Sequence, residues 1–170
     1  MSAKNPPTAK SARESEVTMT EMVLPSDTNA LGTIFGGKVM SWIDIAAAIA
    51  AQRHSRKIVV TASIDALHFV APVKLGQVVH IKAAVNYAGR TSMEVGVRVD
   101  SENPLTGEVS HTAKAYLTFV ALDAGGKPTT IPQVIAETAE EKRRYQNAIS
   151  RREARIELAK KVKTRQTAKR

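Results

Sequence analysis

The chain contains no cysteine among its 170 residues, which excludes a disulfide framework, a thiolate nucleophile and a cysteine-ligated metal site. Histidine is sparse as well. His54, His68, His80 and His111 stand far apart, and none forms the i, i+4 pair by which one helix grips a zinc ion. No metal or organic cofactor is expected. Long apolar runs are missing too: the longest uncharged apolar stretch, residues 45–51, falls far short of the ~20 residues that span a bilayer. The opening segment MSAKNPPTAKSARESE is polar and carries consecutive prolines, unlike a secretory signal. A cytoplasmic protein is the expectation.

What is present fits one soluble domain with an appendage: 43% of residues are hydrophobic and 24% charged. The formal charge of +9 is unevenly placed. From Glu137 onward there are 12 Lys or Arg against 5 Glu, so the basic character belongs mainly to the C-terminal tail. Its location therefore argues against a nucleic-acid-binding core.

Residues 1–16 read as a disordered N-terminal arm. A first strand is expected over residues 17–24, ended by Pro25. The segment SDTNALGTIFGG then concentrates turn formers and glycines, which is loop chemistry with close backbone approaches. The next segment, residues 38–53, is apolar almost all round, and a helix of that kind is enclosed by other elements. The enclosing candidates follow at once. Residues 58–69, 77–87, 92–100 and 109–122 are rich in Val, Ile, Thr and aromatics and are separated by turn signals, and their short connections favour antiparallel neighbours. The fold class is therefore α+β: five strands, antiparallel where their connections are short, around one central helix, spanning residues 17–135. Residues 136–170 are dominated by helix formers with few large apolar side chains, and read as a solvated basic helix.

Asp44 stands in the middle of the most apolar helix, where a carboxylate is costly unless it is paired or used. Ser41 and Lys38, at i−3 and i−6, place it at the end of a polar stripe that can face a pocket. The alternative is a carboxylate that merely pairs with a loop group. Gly36 and Gly37 precede the same helix, where free N–H groups and the positive end of the dipole suit a developing oxyanion; a plain turn is the other reading. Together with Asp44 they supply two parts of an acyl-transfer site, a carbonyl-polarising donor and a base or nucleophile. Arg90, Thr91 and Ser92, in the turn AGRTS, offer a guanidinium, hydroxyls and amides to a phosphate, although an Arg in a hairpin is commonly just solvated. Phe69 and Pro72, in HFVAP, are read as pocket wall.

With these residues in view, PSDTNALGTIFGGKVMSWIDIAAAIAAQRH resembles the signature of the hot-dog acyl-CoA thioesterases, bacterial and mitochondrial or cytosolic, and is close to the YciA-type branch. The likeness continues through VVTASIDALHFVAPVKLGQVV, NYAGRTSMEVGVRV and TAKAYLTFVALDAGGKPTTIP, covering residues 17–132. It implies the hot-dog fold, acyl-CoA as substrate, and hydrolysis to free CoA and a carboxylic acid without a cofactor. It implies a homo-oligomer, a dimer at least, with a hexamer built as a trimer of dimers expected. It also implies that Asp44 is the catalytic base or nucleophile and that the N–H of Gly37, with Gly36 beside it, polarises the carbonyl. Asn29 would come from the partner subunit, and Arg90, Thr91 and Ser92 would bind CoA.

The chain departs from the family in its basic tail, for which an oligomer contact, or contact with nucleic acid or an anionic membrane, are the alternatives to a solvated helix. The competing function is a non-catalytic acyl-CoA-sensing module acting through that tail. The joint presence of Asp44, Asn29 and the FGG turn opposes it. A hot-dog dehydratase would need a His near the helix entry, and none occurs between Met1 and Arg53.

Overall fold

A computed structural model describes residues 9–167. Its elements are β1 (Lys10–Ser11), a 3-10 turn (Ala12–Ser15), β2 (Val17–Met22), a second 3-10 turn (Pro25–Asp27), α1 (Gly36–Ser55), β3 (Ile58–Phe69), β4 (Val78–Ala88), β5 (Ser92–Glu102), β6 (Val109–Leu122), β7 (Val134–Ile135) and α2 (Ala139–Thr167). The main sheet has five strands in the order β2-β4-β5-β6-β3, every neighbouring pair antiparallel. This is the expected hot-dog arrangement, with α1 held in the curve of the sheet.

The strands show why. In β4, Val79, Ile81, Ala83 and Val85 are buried; in β5, Met93, Val95, Val97 and Val99; in β6, Ala113, Ala115, Leu117, Phe119 and Ala121. That period of two directs one side of three adjacent strands at one target. The target is the face of α1 made by Val39, Ile43, Ala46, Ala47, Ala50 and Ala51, each at most 2% exposed. Four of these six are alanines, which let the helix backbone lie close against the sheet while keeping helix propensity at its maximum. The helix is not enclosed on every side, as its composition suggested. Met40, Ser41 and Ile45 are exposed, so one stripe faces away from the sheet.

The disordered arm expected over residues 1–16 is corrected from residue 9 onward; residues 1–8 lie outside the described residues. β1 pairs in parallel with β7, and Ala12 and Ser15 are buried. Ser15 Oγ donates to Ala12 O (2.6 Å) and accepts from Val85 N (2.9 Å), and Lys10 Nζ donates to His54 O (2.9 Å) at the end of α1. The arm's value lies in hydrogen bonds to distant partners, which composition does not reveal.

The C-terminal helix also differs from expectation, because it packs on the outer face of the sheet. Ala148 is fully buried there, and Tyr145 meets Tyr87 with ring centroids 5.3 Å apart. Glu94 points out of the sheet from β5, yet is only 1% exposed, because Arg151 covers it. The guanidinium donates from Nη2 to Oε1 at 2.6 Å and from Nε to Oε2 at 3.1 Å, and lies 3.6 Å from the centroid of the Tyr116 ring. Arg155 bridges Glu94 and Asp65. Cations that looked like solvated tail charge thus form a stripe at helical spacing against a buried acid.

Two expected outcomes follow from this packing. Arg151→Ala should destabilise the fold by about 2 kcal/mol, since it strips most of the pairing from a buried carboxylate while Arg155 remains; urea denaturation followed by far-UV circular dichroism measures it. His54, fully buried at the end of α1, donates Nε2–H to Pro132 O (2.9 Å) and leaves Nδ1 without a partner. Burial pushes its pKa below the ordinary 6.5. Below pH 6.5 the unfolded chain takes up a proton that the folded one refuses, so stability should fall as pH drops through that value. The urea midpoint measured from pH 7.5 to 5 should show the fall, and His54→Gln should flatten it.

Candidate active site

The helix entry is built by the loop that precedes it. Asp27 is buried, accepts from Leu24 N (3.1 Å) and pairs with Lys38 Nζ (3.1 Å), so the loop is tied to the first turn of α1. Its pKa is held below the usual carboxylate range by the Leu24 N–H and then by Lys38. Lys38 also lies 5.4 Å from the Trp42 ring centroid. The polar stripe expected to run from Lys38 to Asp44 is therefore divided: Lys38 serves the loop, while Ser41 and Asp44 lie on the stripe left open by the sheet.

Gly36 and Gly37 form the first turn of α1, with Phe35 as the preceding cap. The first N–H to turn back is that of Lys38, to Phe35 O at 2.9 Å. Those of Gly36 and Gly37 lie ahead of it, at the positive end of the helix. A Cβ on Gly37 would stand 2.9 Å from the Phe35 ring, and one on Gly36 would stand 3.6 Å from the Phe69 ring. Gly36 borders a cavity of about 360 Å³ whose other walls include Phe69, Val70, Pro72 and Val73. An apolar chamber thus opens directly beside the free amides, and Phe69 and Pro72 line it.

Asp44, half-buried, accepts a hydrogen bond from Thr61 Oγ1 to Oδ1 at 2.8 Å. Sequence reasoning passed over Thr61. The sequence did carry a signal: 58–69 is an edge-capable strand just after the helix, and Thr61 is its only hydroxyl besides Ser63. What links Thr61 to Asp44 is the crossing of β3 over α1, which no local pattern encodes. β3 is the last strand of the sheet and has no neighbour beyond it. Ile58, Val60 and Ile64 on β3 are exposed at 65, 45 and 42%, beside exposed Met40 and Ile45 of α1. The Asp44–Thr61 pair therefore sits at the margin of an uncovered apolar edge.

Asn29 is exposed and organises its own loop, accepting from Leu31 N at 2.9 Å and donating to Thr33 Oγ1 at 3.0 Å. Within one protomer no hydrogen bond joins it to Asp44. Arg90 is exposed at the β4–β5 turn, and its side chain has no ion-pair partner among the described residues. Its carbonyl accepts from Ile131 N (3.1 Å), and the carbonyl of Thr91 accepts from Ala121 N (2.9 Å), so the turn is fixed while the guanidinium is free. Ser92 opens β5, and its carbonyl accepts from Gly89 N (2.8 Å). A single protomer thus joins Asp44 and the α1 entry on one helix. Asn29 belongs to the loop that leads into α1 and is held by Thr33, which lines the cavity beside Gly36, and among the described residues neither Asn29 nor Arg90 is hydrogen-bonded to Asp44.

The chain thus combines a hot-dog sheet with an acid midway along its central helix and glycine amides at the helix start, and comparison with known proteins gives the family. The family model of the thioesterase superfamily matches residues 31–108. The chain is 44% identical over 145 residues to YkhA of Bacillus subtilis, named an uncharacterized acyl-CoA thioester hydrolase, covering 85% of this chain and 84% of that protein. Among solved structures, a hexameric acyl-CoA thioesterase superposes with a TM-score of 0.87 at 47% identity, over 89% of this chain and 97% of that one. An acyl-CoA hydrolase of Staphylococcus aureus, solved with butyryl-coenzyme A and coenzyme A, gives 0.85 at 41% identity, over 95% and 97%. The chain belongs to the thioesterase superfamily. No helix among the described residues is long and apolar enough to cross a membrane.

The Asp44–Thr61 contact is accessible to solvent, so its hydroxyl-to-carboxylate bond adds little to folding. Thr61→Val should cost under about 1 kcal/mol. A larger loss in urea denaturation would make the pair part of the scaffold rather than of a site.

Proposed function

We propose that the protein hydrolyses acyl-CoA thioesters to free CoA and a carboxylic acid, at a site that two protomers complete. The observation that carries this reading is the Asp44 carboxylate, fixed by Thr61 on the open stripe of the central helix, two turns beyond amides that donate to nothing among the described residues. The Staphylococcus aureus hydrolase adds support: an aspartate, a threonine and an asparagine were each replaced by alanine in it. Those three residues have the same spacing along the chain as Asp44, Thr61 and Asn29.

Seven residues of helix separate Gly37 from Asp44 by roughly 11 Å along the axis. The Asp44 side chain leans back toward the N-terminus and shortens that gap. A thioester lying along the stripe then presents its carbonyl oxygen to the Gly37 N–H, with Gly36 beside it, while Asp44 addresses a water molecule near the carbonyl carbon. Thr61 occupies Oδ1, which leaves Oδ2 to take the proton. Water adds to the carbon, negative charge develops on the oxygen facing the amides, and collapse expels the CoA thiolate, which recovers the proton. Direct attack by Asp44 is the other route for the same carboxylate, and single turnover in ¹⁸O-water separates the two by label in the Asp44 side chain.

Asn29, carried on an exposed loop and not hydrogen-bonded to its own Asp44 among the described residues, reaches the site of the partner subunit. The bare β3 edge with its exposed Ile58, Val60 and Ile64 supports pairing of two sheets there, since an unpaired apolar edge otherwise invites uncontrolled association. The hexamer reported for a similar thioesterase supports a trimer of such dimers. The unpaired guanidinium of Arg90, with Thr91 and Ser92, suits the phosphates of CoA. A cytoplasmic location is compatible with acyl-CoA as substrate, and the similarity to the cytosolic acyl coenzyme A thioester hydrolase of rat, 34% identical over 139 residues, supports it.

A panel of acyl-CoAs from acetyl to palmitoyl, assayed for release of free thiol, tests the activity. Asp44→Ala should lower turnover by two orders of magnitude or more with CoA binding retained. Asn29→Ala should act in the same direction and less severely. Mixing the two variants should restore part of the activity, because one of the two hybrid sites carries both wild-type residues. No recovery despite demonstrated subunit exchange would place both residues in one protomer.

A further inference from the structure

The face of the sheet opposite α1 carries a feature that thioester hydrolysis leaves unexplained. Lys82 on β4 is directly opposite Arg98 on β5, which is directly opposite Lys114 on β6. Three cations in one cross-strand row repel one another, and like charges in register destabilise a sheet. Arg98 is relieved by Asp100, at 2.9 Å. Lys82 and Lys114 have no carboxylate partner among the described residues; Lys114 has only the Tyr116 ring, 5.2 Å from its centroid.

α2 turns this row into one wall of a groove of about 330 Å³, whose other wall brings Arg143, Arg144 and Arg151. Arg143 and Arg144 share a single acid, Glu140, and Arg151 is committed to Glu94. The floor is equally particular. Asn86 is the extra residue of a β-bulge, since Val85 pairs with Val95 and Tyr87 with Glu94. Its side chain is 94% buried, with 6% exposure. It lies across Gly96, where a Cβ would stand only 2.5 Å from Nδ2. Asn86 lines the groove; its Nδ2 donates to Glu94 Oε1 (3.4 Å), whereas its Oδ1 has no partner among the described residues. A glycine, a bulge and a buried amide are thus arranged under a row of three cations, of which only Arg98 has a carboxylate partner among the described residues.

We propose that this groove binds an organic phosphate anion. Its phosphates would lie between Lys82 and Lys114, two strand spacings or roughly 10 Å apart, and a hydroxyl or N–H of its organic part would donate to Asn86 Oδ1. A phosphate group between the two ammonium ions removes the repulsion that the bare row sustains. Such an anion comes either as a free nucleotide or as the nucleotide end of coenzyme A. The site stands on the side of the sheet away from Asp44, so its existence does not rest on the hydrolytic reading.

Isothermal titration of the full-length protein at low salt, with ADP, inorganic pyrophosphate and CoA as probes, tests the site. ADP should bind saturably and more tightly than pyrophosphate, and both should weaken as salt rises. The double variant K82Q/K114Q, which alters only exposed side chains, should weaken ADP at least tenfold. Glu140→Gln should tighten ADP severalfold by releasing Arg143 and Arg144, an increase that misfolding does not produce. Loss of ADP binding in K82Q/K114Q with CoA binding unchanged identifies a free nucleotide as the occupant. Loss of a second CoA equivalent per protomer identifies the nucleotide end of CoA. No saturable ADP binding to the wild type, undiminished binding in K82Q/K114Q, or no tightening in Glu140→Gln would overturn the proposal.

Discussion

The structure depends on the seat of α1 in the curve of the sheet. Alanines at 46, 47, 50 and 51 bring the helix backbone close to the valine and alanine rows of β4, β5 and β6, and each of them is fully buried. Larger side chains there would lift the helix and flatten the contact, because a packed interior tolerates added volume poorly. The same close seat sets the rotation of α1 about its axis. Once the alanine face is fixed inward, Ser41 and Asp44 must lie on the open side, and Gly36 must meet Phe69 at the end of β3.

That rotation also explains why the candidate site lies at an edge. The sheet covers α1 from one side, and β3 closes over only part of the remainder, enough for Thr61 to hold Asp44 and too little to cover Met40 and Ile45. A carboxylate used on substrate needs that compromise: an oriented oxygen, an unoccupied one, and apolar surroundings that a second protomer can complete. The unpaired edge of the sheet and the threonine that holds the acid belong to the same β3, so in the proposed dimer one strand would couple assembly to the site.

On the outer face the logic is electrostatic. Glu94 is buried by a helix whose own residues are mostly charged, and Arg151 clasps it while stacking on Tyr116. Guanidinium suits this place because it is planar, pairs bidentately and tolerates partial dehydration better than an ammonium. Such a pair is weak evidence for extra stability, since its desolvation offsets much of its attraction. It does fix where α2 lies, and with it the basic groove between helix and sheet.

The sequence by itself determined the five strands, the central helix and the antiparallel pairing of β4, β5 and β6, because a period of two and an almost wholly apolar helix are local patterns. The short link from β3 to β4 suggested neighbours as well, but tertiary structure places β3 beside β6 instead. It also singled out Asp44, since a carboxylate among alanines and isoleucines is anomalous in any fold, and Gly36 and Gly37, since glycine before a helix leaves amides open. The strand exit at Phe69 and Pro72 was legible for the same local reason. Tertiary structure alone decided that Thr61 meets Asp44, that Ser15 satisfies Val85 N, and that Arg151 belongs to Glu94. Those partners stand 17, 70 and 57 residues apart along the chain. A serine in a polar arm and an arginine in a basic tail look solvated until the residue that completes them is known. Burial is a property of pairs brought together by the fold, and composition reports only their members.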